Sequence, residues 1–235
     1  MQTQELREKL LSHPDRTRLV DHRFFAYLQA APVSRELAAQ FVGQWWHPLH
    51  YFPTFLSRTI AVADQLVVKT ATSLILFQEL GEGRVDRAHE QVYISTMRDA
   101  GFKLEQISGT APFPATAALL EGYRQASQSE LGGIGFIYAT EVADLAMVSA
   151  IGTAVRSATG ATSLPWVEIH EEQEPAHRQE ADVAISAEFS SAQVATIMTT
   201  AERAWSLWVG FFDALEALVL ETAATHEPQP LAACR

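Results

Sequence analysis

His170, Glu174 and His177 fall on one stripe of a helix in the segment from Trp166 to His177. At 100° per residue, offsets of four and seven return to within about 40° of the start. Two imidazoles and a carboxylate projecting together are a complete ligand set for one first-row transition metal, and this mixture suits non-haem iron. Glu171, Glu172 and Arg178 mark a solvated face of the same helix, so a charged surface stripe is the competing reading of the triplet.

Two further regions carry groups of the same kind. Glu79 ends the apolar run Leu-Ile-Leu-Phe-Gln-Glu, and His89 follows beyond the turn Gly81-Glu-Gly83. Their separation is not a helical pair. They converge only if the turn folds or bends the second helix back. Glu141 is enclosed by apolar residues for more than a turn on each side. A lone buried carboxylate costs several kcal/mol, so it must be protonated, paired or metal-bound. Taken alone, Glu141 also fits a hydrogen-bonded core carboxylate or a rim position shared with Asp144.

Three carboxylates and three imidazoles from three helical regions match what a dinuclear iron or manganese centre in a helical bundle uses. Carboxylates bridge cations, and imidazoles complete the coordination spheres without adding charge. The paired Glu-x-x-His motifs of ferritin-like bundles are missing, which indicates a different bundle. Asp182, five residues after His177, is either an alternate ligand or part of the polar face.

The elements that must position these groups are helical nearly throughout. Apolar periodicity places helices at about 4–12, 16–30, 34–47, 50–63, 66–80, 84–100, 113–128, 133–158, 164–184 and 190–224. Ser34, Thr17 and Ser190 offer polar starts, and Gly81, Gly101 and Gly160 offer stops. Pro48 and Pro53 are expected to kink or split an apolar run. Residues 103–114 read as an ordinary loop. Strand alternation and hairpin dipeptides are missing. The expectation is a single all-α domain over residues 1–226 with a flexible tail, 227–235.

The 235 residues are 48% hydrophobic, enough for a sizeable core. A net charge of −11 without a Lys/Arg cluster sets aside nucleic acid and anionic membrane as partners. The one cysteine, Cys234, supports neither a disulfide framework nor a CxxC site. The N-terminus lacks the apolar run of a signal peptide. Glu141, Asp144, Asp213 and Glu216 interrupt the longest apolar stretches, which argues against a membrane span. A soluble, cytoplasmic protein is expected.

The order Glu79-Leu-Gly-x-Gly-x5-His89, then Glu141, then His170-x3-Glu174-x2-His177 resembles the haem-oxygenase-like dimetal oxidase and oxygenase family. The aromatic stretch Trp45-Trp46-His47-Pro48-Leu49-His50-Tyr51-Phe52-Pro53 is similar as well, and the likeness covers roughly residues 35–215. Position 174 is Glu where many members have Asp. Glu82, seven residues before His89, matches a spacing also seen among members and is the alternate first ligand. Glu79 is preferred because it ends an apolar helix.

The resemblance implies a bundle of about seven core helices and a centre of two iron ions, with manganese as a substitute and O2 as co-substrate. Glu79, His89 and Glu141 would hold one ion, and His170, Glu174 and His177 the other. It implies a small-molecule substrate, an amino acid foremost, undergoing desaturation, N-oxygenation or oxidative C–C cleavage in natural product biosynthesis. An external electron donor and a homodimer are compatible with it. Trp45, Trp46, His50, Phe52, Phe136 and Tyr138 are candidate pocket residues. Arg58 or Arg203 would pair with a substrate carboxylate.

Three rival readings stand beside it. Haem oxygenase itself would use His22 as proximal ligand and Leu131-Gly-Gly-Ile-Gly135 as distal helix. A thiaminase-like relative needs a placed cysteine, and only Cys234 is available. A non-catalytic helical ligand-binding protein would leave the His and Glu residues as surface features.

Overall fold

Polar caps and left-handed glycines set many of the helix ends. The computed structural model describes residues 2–225, and no strand occurs among them. In chain order the helices are α1 (Gln2–Leu11), α2 (Pro14–Val20), α3 (Arg23–Ala30), α4 (Arg35–Val62), α5 (Leu66–Glu79) and α6 (His89–Asp99). They continue with α7 (Leu104–Ser108), α8 (Pro114–Ala126), α9 (Glu130–Glu141), α10 (Asp144–Thr159), α11 (Pro165–Ala184) and α12 (Ser191–Thr225). Ser34 caps α4 by accepting from the Leu37 amide, and Gly160 ends α10 at φ 74°. The expected tail and Cys234 lie outside the described residues.

Four expectations about helix boundaries are corrected. The helix expected over 16–30 is two helices, because His13 and His22 act as caps. Each ring Nδ1 accepts from the amide two residues on, at 3.2 Å. Pro48 and Pro53 do not split α4, which runs unbroken for 28 residues. Each proline costs about 3 kcal/mol locally; burial of Trp45, Leu49, Phe52, Phe55 and Leu56 on the same helix offsets this. The loop at 103–114 contains the short helix α7. The helix expected over 133–158 breaks after Glu141, and the axes of α9 and α10 bend by 49°. Glu141 therefore ends a helix instead of sitting in the middle of one. Arg16 of α2 donates its Nε–H to the Val142 carbonyl at the break, at 3.1 Å.

Helix α9 is the centre of the bundle. Every residue from Gly132 to Glu141 is buried. Trp205 of α12 donates its indole N–H to the Ala139 carbonyl at 2.9 Å. A side chain at Gly133 would collide with Thr59 of α4, and one at Gly135 with the backbone of Ile197 on α12. These glycines let α9 approach α4 and α12 closely, so the segment is occupied by helix contacts. His22 is likewise occupied, with Nδ1 on the Phe24 amide and Nε2 3.3 Å from Asp213. Among the described residues no single helix is long and apolar enough to cross a membrane.

Candidate metal centre

Four helices bring the six side chains to one place. Glu79 is the last residue of α5 and His89 the first of α6. Between them Gly81, Glu82 and Gly83 all take left-handed backbone, with φ of 76°, 55° and 84°. At Gly81 a side chain would collide with the backbone of Arg84 and Ala88. This turn sets His89 Nδ1 3.1 Å from Glu79 Oε2. His177 Nδ1, from α11, lies 3.5 Å from Glu141 Oε2 and 3.9 Å from Glu79 Oε1. The His170 ring, two turns earlier on α11, is 4.6 Å from that of His89. Glu141, Glu174 and His177 offer ligand atoms within 4.8 Å of one another. None of the six is more than 6% exposed.

Neighbouring groups fix the rings. His170 donates Nδ1–H to the Trp166 carbonyl at 2.7 Å, which leaves Nε2 as a lone pair. His89 donates Nε2–H to Gln173 Oε1 at 2.9 Å and turns Nδ1 to Glu79; burial opposes charging of this ring, but Glu79 raises it, so without a cation Nδ1 carries a proton that a metal would displace. Carboxylate and carbonyl partners of this kind commonly orient metal-binding imidazoles.

The electrostatics are those of an overcrowded acidic cluster. Burial, followed by Asp144 and Glu141, pushes the Glu174 carboxyl up to about 12. Burial, with Glu141 and Glu79, raises Asp144 to about 7. Burial would raise Glu79 too, but His89, His177 and His170 hold it at about 2. Burial opposes charging of His177, yet Glu141 and Glu79 raise it to about 9. Burial and the neighbouring His89 lower His170 to about 3. Without a cation, then, the cluster must store protons.

A metal ion fits this set. Both Glu174 oxygens, Asp144 Oδ2, His89 Nδ1 and His177 Nε2 are buried with no hydrogen-bond partner. Buried polar atoms are rarely left so, and oxygen and imidazole donors together suit iron or manganese. Asp144 was missed as a member of the cluster. It stands beside Glu174, close enough to repel it though without an aligned hydrogen bond. The visible signal was the i,i+3 spacing from Glu141; the break between α9 and α10 changes what that spacing means.

The other candidates divide. Trp45 and Phe52, with Tyr123 and Trp208, line a small cavity of about 30 Å³ against Glu79, Glu141 and His170. Trp46 and His50 do not line it. They stack at 4.5 Å and both bond Glu90 on α6. Phe136 is packed against Tyr123 and Phe55 in the core. Tyr138 points away to Asp182, 3.1 Å distant. Asp182 is also paired with Arg7 at 2.7 Å and takes no place among the ligands. Glu82 is exposed and faces Arg87 at 3.9 Å. Arg58 is exposed, and Arg203 bonds Gln125. Neither arginine is near the cluster's cavities.

The helical bundle and its buried carboxylate–imidazole cluster define the haem-oxygenase-like fold carrying a candidate metal centre. Residues 39–209 match the family described as iron-containing redox enzymes, and the chain belongs to it. Among solved structures, a CADD-like protein of unknown function from Nostoc punctiforme has a TM-score of 0.78 at 14% identity, over 93% of this chain and 98% of that one. A domain of unknown function with a heme oxygenase-like fold from Shewanella denitrificans has a TM-score of 0.71 at 16% identity, over 95% and 97%. A TenA homolog from Pseudomonas syringae pv. tomato has a TM-score of 0.69 at 16% identity, over 91% and 92%. No curated protein matches the chain.

Proposed function

We propose that this iron-containing redox enzyme is a non-haem oxidase or oxygenase with two iron ions, acting with O2 on a small molecule. The observation that carries the reading is the concentration of unsatisfied donor atoms among three imidazoles and four carboxylates in one buried cluster. One ion has more ligands here than it can use. On this reading Glu141, Glu174 and His177, whose ligand atoms lie within 4.8 Å of one another, would hold one ion, and Glu79, His89 and His170 the other. This grouping is our reading of the distances and differs from the division that the resemblance implies. Asp144 adds a seventh donor beside Glu174.

When bound, the two ions supply electrons to O2 and deliver oxidising equivalents to a substrate C–H bond or heteroatom. The chain's own residues do the rest. Trp166 and Gln173 hold His170 Nε2 and His89 Nδ1 toward the centre. Trp45, Phe52, Tyr123 and Trp208 exclude bulk water on one side, where the space is about that of one water molecule. Glu174 and Asp144 hold the protons that cation binding must displace. The reaction classes this reading includes are desaturation, N-oxygenation and oxidative C–C cleavage, with an amino acid as the first substrate to try and an external reductant for turnover.

The test is anaerobic Fe(II) loading, iron analysis, and O2 consumption with a panel of amino acids and fatty acids. Two irons per chain and faster O2 uptake with one compound are expected. Absence of iron uptake, or a haem absorption band in the isolated protein, would reject the reading.

A further inference from the structure

The cluster has a second, much larger neighbour. A cavity of about 810 Å³ opens between α2, α10 and α11 and reaches Glu141 and Glu174. Its size is in the range of small-molecule sites, whereas the aromatic space of about 30 Å³ holds no substrate. In a chain of net charge −11, its wall carries three arginines, Arg7, Arg16 and Arg178.

Their partners differ. Arg7 is committed to Asp182 at 2.7 Å. Arg16 is half-buried and gives its Nε–H to Val142 and one terminal N–H to Leu11, both backbone carbonyls. It has no carboxylate partner among the described residues. Arg178 makes no ion pair among them either. Burial, followed by the charge of Arg178, holds Arg16 below the usual arginine range, with Tyr138 and Asp21 acting in the opposite direction. Glu171 is the remaining acidic group at the rim, on the exposed face of α11. Val142, Leu145 and Pro175 give the same cavity an apolar wall beside Glu174.

We propose that this cavity is the substrate's path to the metal centre and that Arg16 and Arg178 together take the carboxylate of a small organic acid. The proposal rests on the metal-centre reading and adds the route to the centre and the residues that would hold the substrate's acid group. A carboxylate supplies two oxygens to a guanidinium fork, and Arg16 has only part of its fork left. An apolar remainder of the ligand would lie along Leu145 and Pro175 and point inward at Glu174.

The test is calorimetric titration of the anaerobic Fe(II)-loaded protein with hexanoate and with hexanamide, its neutral counterpart. Hexanoate should bind at least about tenfold more tightly, the scale of a charge-assisted hydrogen bond. Arg178→Gln and Arg16→Gln should each weaken hexanoate binding by about that factor, with iron content and hexanamide binding unchanged. Arg178 is exposed and holds no structural bond, so its variant reports even if Arg16→Gln fails to fold. Equal affinity for acid and amide, or wild-type hexanoate affinity in Arg178→Gln, overturns the proposal. Failure to take up iron would count against the metal centre instead, and the same titration of the iron-free protein would still test the arginine pair.

Discussion

His89 Nδ1 stands 3.1 Å from Glu79 Oε2, although one residue begins a helix and the other ends the helix before it. The contact forms across the left-handed turn at 81–83, where Gly81 is the residue whose surroundings leave no space for a side chain. Gly81→Ala should therefore cost about 1–3 kcal/mol in stability and impair iron uptake. Gly83→Ala, with open space around it, should cost about 1–2 kcal/mol and leave iron uptake intact. Thermal melting and iron content of both variants check this; equal iron loss in the two would contradict the assigned role of the turn.

Glu79 and Glu82 are separable by the same measurement. Glu79 is buried between His89 and His177, whereas Glu82 is exposed toward Arg87. Glu79→Gln should lower iron content per chain, and Glu82→Gln should not. The reverse result would move the first ligand to Glu82.

Glu174 behaves as a neutral acid when no cation is present, since burial with Asp144 and Glu141 raises it to about 12. An amide is close in shape to a protonated carboxyl. Glu174→Gln should leave the unfolding free energy of the metal-free protein within about 1 kcal/mol of wild type while removing iron from the set it shares with Glu141 and His177. A loss of several kcal/mol in the metal-free variant would show that Glu174 is ionised and paired there.

The pH dependence of the metal-free protein follows from groups that bind protons more tightly folded than unfolded. His177 rises from 6.5 to about 9, so its contribution is complete below pH 6.5 and is lost as pH climbs through 9. Glu174 rises from 4.5 to about 12, so its contribution also declines across that window. Each group accounts for about 1.4 kcal/mol per pH unit at most, or roughly 3–5 °C in a protein of this size. Melting temperature should fall between pH 6.5 and 9 without metal and stay nearly flat with Mn(II), which displaces those protons. Matching pH profiles with and without metal would contradict this.

The helical class and the stripe of His170, Glu174 and His177 were legible because helical geometry alone places them. The meeting of Glu79 with His89 was not, since it depends on a turn conformation that spacing does not reveal. Asp144 was hidden for a related reason: a two-residue break at Val142–Ala143 separates it from Glu141's helix. Trp46, His50, Phe136 and Tyr138 were placed in the pocket by nearness in sequence. Neighbouring residues on a helix point to different sides, and these four face Glu90, the core and Asp182. Arg16 carried no local signal, because its place beside the centre comes from α2 packing against the break in a distant helix.

The most direct measurement is anaerobic titration of the metal-free chain with Fe(II), read as bound iron per chain in wild type and Glu141→Ala. Wild type should saturate at two ions, and Glu141→Ala should lose one or both while remaining folded. Unchanged iron binding in Glu141→Ala, or no binding above background in wild type with unaltered melting, would contradict a two-ion centre at this cluster.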